Sequence, residues 1–158
     1  MHLMETTFKE KPVKLFIALL TSTLLLLAPE AYSRDSKLMF SIEDAMQSAD
    51  FKERLDPTIR LYFGHQKHAK KLSSFGNFTT NKKTNAFGKS DGEACRWVFL
   101  SALLALQERA KAEGGNAVIN IVSYYKKQKN SSNSEFECHA GAIMAGVALN
   151  GDVVKLAR

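Results

Sequence analysis

From residue 94 to residue 106 the only polar side chains are Arg96 and Ser101. Ser90-Asp91-Gly92-Glu93 precedes this run as a capping box, and Gly114-Gly115 follows it as a left-handed stop. The pattern predicts a helix over 91–113. A helix that is apolar on every side has to be covered on more than one. A sheet is one cover. The other is a shorter helix, or a second subunit in a homodimer.

The remaining elements follow from periodicity and punctuation. Ser41-Ile42-Glu43-Asp44 is another capping box and opens a shorter helix over 42–55, which Pro57 ends. Ile59, Leu61 and Phe63 alternate with Arg60 and Tyr62, the pattern of a half-buried strand over 58–63. Short strands are expected at 74–80 and 84–87, joined by a turn at Asn81-Lys82-Lys83. The β-branched stretch 117–125 and the stretch 136–149, bulged near Gly141 or Gly146, read as a hairpin whose long basic tip spans 126–134. Gly151 is expected to break the second strand, leaving Val153-Val154 as a last short one. The fold class is α+β: a small antiparallel sheet with one long helix packed on it and a shorter N-terminal helix.

The N-terminal segment carries an address. Lys9, Lys11 and Lys14 precede a 14-residue apolar run over 15–28, and Ala31-Tyr32-Ser33 supplies small residues two apart. These are the three parts of a secretory signal peptide, with cleavage after Ser33. The run is shorter than the roughly 18 residues that span a bilayer. The expected organisation is therefore a signal peptide at 1–33 and a single α+β domain at 34–158, periplasmic and not membrane-spanning after cleavage. Lipid anchoring needs a Cys just after the cut, and the first Cys is Cys95. The segment removed holds three Lys and three Glu, so the formal charge of +6 is unchanged. That charge favours an envelope protein with an acidic face or an anionic envelope component. Nucleic acid fits the charge but not the compartment.

Cys95 and Cys138 are the only cysteines. In an oxidising compartment such a pair points to a disulfide joining the long helix to the last long strand. By period-two alternation Ala140, Ala142 and Met144 would then face the helix beside Cys138. The competing readings are a redox-active bridge, since a helix N-terminus lowers a thiol pKa, or a metal site with His139. Adjacent strand residues face opposite ways, which separates Cys138 from His139.

Gly92-Glu93-Ala94-Cys95, Gly115-Asn116-Ala117-Val118 and the stretch from Cys138-His139-Ala140-Gly141 to Leu149 resemble, in order and spacing, the folded domain of the outer-membrane lipoprotein sensor of the Rcs envelope-stress phosphorelay. The resemblance covers roughly residues 90–150 and implies that Cys95 pairs with Cys138. The second disulfide of that family is absent: Met144 stands where one partner Cys would be. Thr84-Asn85-Ala86-Phe87-Gly88-Lys89, Cys95-Arg96-Trp97, Ser123-Tyr124-Tyr125-Lys126-Lys127 and Cys138-His139-Ala140-Gly141 together resemble small exported proteobacterial proteins of unassigned function that carry the name excinuclease ATPase subunit. The residues do not support that name. Gly88-Lys89-Ser90 echoes the end of a phosphate-binding loop, but the first glycine of the motif falls on Lys83.

Few residues carry catalytic patterns. There is no Gly-x-Ser-x-Gly elbow and no His-Glu-x-x-His. The expectation is a non-catalytic interaction or envelope-sensor-like module without a cofactor. Its working surface would be the basic clusters Lys82-Lys83 and Lys126-Lys127-Gln128-Lys129, with Tyr124 and Tyr125 beside the second. The alternative is a periplasmic metal or small-ligand binder using His65, His68 or His139. Glu135 and Glu137 share a strand face as solubility residues. Asn77-Phe78-Thr79 and Asn130-Ser131-Ser132 match glycosylation acceptors and are expected to be silent.

Overall fold

The computed structural model describes residues 34–158; the expected signal peptide, 1–33, lies outside the described residues. In chain order the elements are β1 (Ser36–Ser41), α1 (Ile42–Gln47), α2 (Ala49–Arg54), β2 (Arg60–Phe63), β3 (Lys71–Asn85), α3 (Asp91–Ala112), β4 (Ala117–Ser123), a 3-10 turn (Tyr125–Lys127), β5 (Glu135–Ala140) and β6 (Met144–Leu156). The fold is mixed α/β. It is dominated by a curled six-stranded sheet and not by a small one. The strand order is β1-β5-β6-β4-β2, with β3 on the other edge of β6. β2 runs parallel to β4, which corrects the antiparallel expectation at that edge. β3 and α3 lie between the two strands in sequence and supply the long connection a parallel pair needs.

β6 organises the sheet. β3 pairs along its whole length, from Lys71 opposite Leu156 to Asn85 opposite Met144. On its other edge β6 pairs first with the end of β5 and then with β4. β4 and β5 therefore follow one another along that edge and do not form the expected hairpin. The Asn81-Lys82-Lys83 turn is also absent. These polar residues stay in one continuous strand because β6 offers backbone partners throughout, and pairing outweighs residue preference. Gly141 ends β5 instead of bulging it, and its N–H closes a tight turn onto the Met144 carbonyl at 2.8 Å. The turn resets the alternation: Ala142 and Met144 are exposed, while Ala145, Val147 and Leu149 point inward. Nor does Gly151 break β6. A Cβ there would lie 2.7 Å from a Val118 methyl, so glycine lets β4 and β6 run close together.

α3 begins and ends where its caps dictate. The Glu93 N–H donates to Ser90 Oγ at 3.2 Å, and Gly114 leaves the helix at φ +78°. Its sheet-facing side packs on β3, β5 and β6. The Cys95–Cys138 disulfide fastens it to β5, with Cα atoms 5.8 Å apart. One turn on, Phe99 stacks flat on Phe136 at 3.8 Å between ring centroids. Phe51 of α2 and Phe63 of β2 lean on the other sides of Phe99, at 5.8 and 6.1 Å. The second cover of the apolar helix thus comes from the same chain.

The expected 42–55 helix is split by Ser48, whose Oγ donates to the Ala45 carbonyl at 2.7 Å and closes α1. The segment after α2 is held by Gln107, a buried polar residue of α3. Its Oε1 accepts from the Asp56 N–H at 2.9 Å, and its Nε2 donates to the carbonyls of Asp56 and Ile59 at 2.9 and 2.8 Å.

Two stability results follow. Loop-closure entropy over a separation of 43 residues makes the bridge worth about 4 kcal/mol. A C95A/C138A variant should therefore lose most of that amount in urea unfolding. Gln107→Leu strands three backbone groups in the interior and should cost about 2–4 kcal/mol in the same measurement. A loss below about 0.5 kcal/mol would mean that water replaces the amide.

Candidate functional site

The two faces of the sheet differ. Phe136, Cys138 and Ala140 of β5 point inward. Alternation therefore sends Glu135, Glu137 and His139 to the outer face. Register places Lys37 of β1 opposite His139, His139 opposite Gly146 of β6, and Gly146 opposite Lys83 of β3. One row of the outer face thus reads Lys37, His139, Gly146, Lys83 across four strands.

A polar cluster is built on this row. The His139 ring lies between two carboxylates, with Nδ1 3.0 Å from Asp35 Oδ1 and Nε2 2.8 Å from Glu137 Oε1. Tyr125 stacks on the imidazole with ring centroids 3.3 Å apart, and its hydroxyl donates to Asp35 Oδ2 at 3.0 Å. Glu137 is only 7% exposed. Its second oxygen accepts from Lys37 Nζ at 2.8 Å and from Asn130 Nδ2 at 3.0 Å. Even its backbone N–H is satisfied by a side chain, Ser123 Oγ at 2.9 Å, in the fork where β4 and β5 part.

These contacts set the charge state. Burial pushes the Glu137 carboxyl up, but the hydrogen bonds from Lys37, Asn130 and His139 together outweigh it and hold the group at about 2. The Tyr125 hydroxyl, ahead of the opposing effect of burial, lowers Asp35. Burial, with the Asp35 carboxylate beside it, raises Tyr125. Both oxygens of Glu137 are committed, so the cluster offers no unengaged general base there. The carboxylates lie on opposite sides of the imidazole, and the three groups do not converge on a point. Among the described residues no group of three or more His, Cys, Asp or Glu is arranged to hold a metal ion.

The cluster instead pins the 3-10 turn. Lys126 and Lys127 adopt φ +48° and +65°, which non-glycine residues rarely do. Lys126 Nζ lies 3.7 Å from Asp35 and 5.0 Å over the Tyr125 ring. Lys126, Lys127 and Lys129 are exposed, and the half-buried Tyr124 anchors the turn through its N–H on the Ala148 carbonyl at 2.8 Å.

The other expected site residues are distributed differently. Lys82 and Lys83 are not a turn tip: as neighbours on β3 they point to opposite faces, Lys83 to the outer one and Lys82 to the side of α3. His68 stacks edge-on against Tyr62 of β2, and the backbone of His65 is bound to Asn133. β4 and β6 lie between β2 and β5, so these two histidines do not meet His139. The amide nitrogens of both glycosylation motifs are engaged, Asn77 with Asn150 and Asp152, and Asn130 with Glu137. Asp35, Lys37 and Asn130 were not singled out from the sequence. The period-two spacing of Asp35 with Lys37 and of Glu137 with His139 was the available signal, but the pairing of β1 with β5 was not.

Compared with protein-family models, curated proteins and solved structures, the chain matches none. No helix among the described residues is long and apolar enough to cross a membrane.

The acid limb of stability tests the cluster. Glu137 titrates at about 2 when folded, below the ordinary 4.5. Its contribution is therefore complete above about pH 4.5 and is lost as the pH falls toward 2. Between those values the urea midpoint of an E137Q variant should fall less steeply than that of the wild type. Parallel curves would mean the carboxylate is not what acid attacks.

Proposed function

We propose that this chain is a non-catalytic periplasmic interaction module of the envelope-sensor kind, and that its working surface is the basic turn Lys126–Lys129 with Tyr124. The observation that carries this reading is the Glu137–His139–Asp35 cluster, whose Glu137 and His139 side chains are largely buried. A polar assembly of this size under a solvated loop costs desolvation, and here it holds two lysines in a backbone conformation they would otherwise avoid. A fixed, exposed cation array recognises an acidic protein face by charge and geometry together, and its attraction falls with salt. The disulfide supports the export expected from the N-terminal address, because such bridges persist in oxidising compartments. The resemblance to the Rcs sensor domain supports the same role.

The test is capture of an envelope partner by in-cell cross-linking. Reversing the charge at Lys126, Lys127 and Lys129 to Glu should abolish recovery of the partner while lowering the unfolding free energy by no more than about 1 kcal/mol, the range for the exposed Lys126–Asp35 pair it removes. Undiminished recovery would sink the reading.

A further inference from the structure

A second surface lies at the end of the sheet where the described chain begins. The turn between β5 and β6 exposes Ile143 and Met144, 64% and 45% accessible, and the turn before α3 exposes Phe87, 76% accessible. The two turns are joined: the Ala86 N–H donates to the Ile143 carbonyl at 2.9 Å, and Asn85 pairs with Met144. Three large apolar side chains on adjacent turns make a raised patch, and nothing in the hydrophobic core accounts for them.

Two lysines flank this patch. Lys83 sits two pairs along from Met144 on the same face of the sheet, and Lys89 donates from Nζ to the Asn85 carbonyl at 3.2 Å. Both are exposed. Arg34 reaches the Gly141 carbonyl at 3.3 Å and forms an ion pair with Asp91, so these two residues add no net charge to the patch.

We infer that this end of the domain, Phe87, Ile143 and Met144 flanked by Lys83 and Lys89, docks peripherally on an anionic phospholipid surface. Apolar side chains on turn tips enter the headgroup boundary, and lysines beside them are drawn to anionic lipid, by about fivefold in affinity per residue. Charge complementarity chooses a lipid surface over a neutral apolar partner. The inference does not rest on the Lys126 turn.

Co-sedimentation of the disulfide-bonded domain with vesicles tests it. The wild type should pellet with equimolar phosphatidylglycerol–phosphatidylcholine vesicles at low salt and remain in the supernatant with phosphatidylcholine alone. F87S/I143S should reduce the bound fraction about tenfold, and K83E/K89E by at least as much. The altered side chains are exposed, and an unchanged unfolding midpoint verifies folding. If the double variant is unstable, I143S alone should still lose about threefold. In 0.1 M salt, where the Debye length is about 10 Å, the Lys126/Lys127/Lys129 charge reversal should keep vesicle binding within about threefold while losing its protein partner, which separates failure of this inference from failure of the previous one. No pelleting of the wild type, or full binding by folded F87S/I143S, overturns the inference. So does a vesicle-free dimer that F87S/I143S dissolves, since the occupant would then be a second copy.

Discussion

The attachment of α3 to β5 is the constraint on which the rest of the molecule depends. It is made twice, side by side. Cys95 bonds to Cys138, and Phe99 stacks on Phe136. Four residues of helix rise about 6 Å and two residues of strand about 6.8 Å, so the two contacts stay in step. Phe99 then carries the load outward, to Phe51 and Phe63, while Phe136 meets Phe40 of β1 at 5.8 Å. Helix, both sheet wings and the short α2 are thereby tied to one aromatic centre. The covalent bond acts mainly on the unfolded chain, and the stacked rings act on the folded one.

The inward pull on β5 also creates the outer site. Once Phe136, Cys138 and Ala140 are committed to the core, Glu137 and His139 have no choice of face. β1 then brings Lys37 and, just before its start, Asp35 to the same patch. The fork between β4 and β5 would leave backbone groups without ladder partners. Ser123 closes that gap from its side chain, and the Asn130 backbone pairs with Ser123. Structural necessity and the candidate binding surface are therefore one construction: the polar groups that seal the fork also hold the basic turn.

Much of the fold was legible where the signal was local. Both helix starts, the Gly114 stop and the inward face of β5 follow from capping and alternation over a few residues. The misreadings share a cause. Asn81-Lys82-Lys83 has turn composition, and only β6, more than sixty residues later, keeps it extended. Gly151 looks like a breaker until Val118 is seen against it. At the site, the sequence presents Glu137 as a solubility residue sharing a face with Glu135, and His139 as a metal candidate. Their meaning depends on Asp35 and Lys37, which arrive by strand pairing.

The sequence by itself determined the length and caps of α3 and the need to cover it on two sides, consequences of side-chain polarity and of glycine's access to left-handed backbone. It offered a bridge between Cys95 and Cys138 beside a metal reading, and the structure shows the bridge. The tertiary structure alone decided the parallel β2–β4 edge, the unbroken β3 and β6, the cover of α3 by Phe51 and Gln107, and the assembly of Asp35, Lys37, Tyr125, Asn130, Glu137 and His139. Each of these rests on contacts between residues far apart in the chain, whose strengths are set by register and burial and leave no mark in local composition.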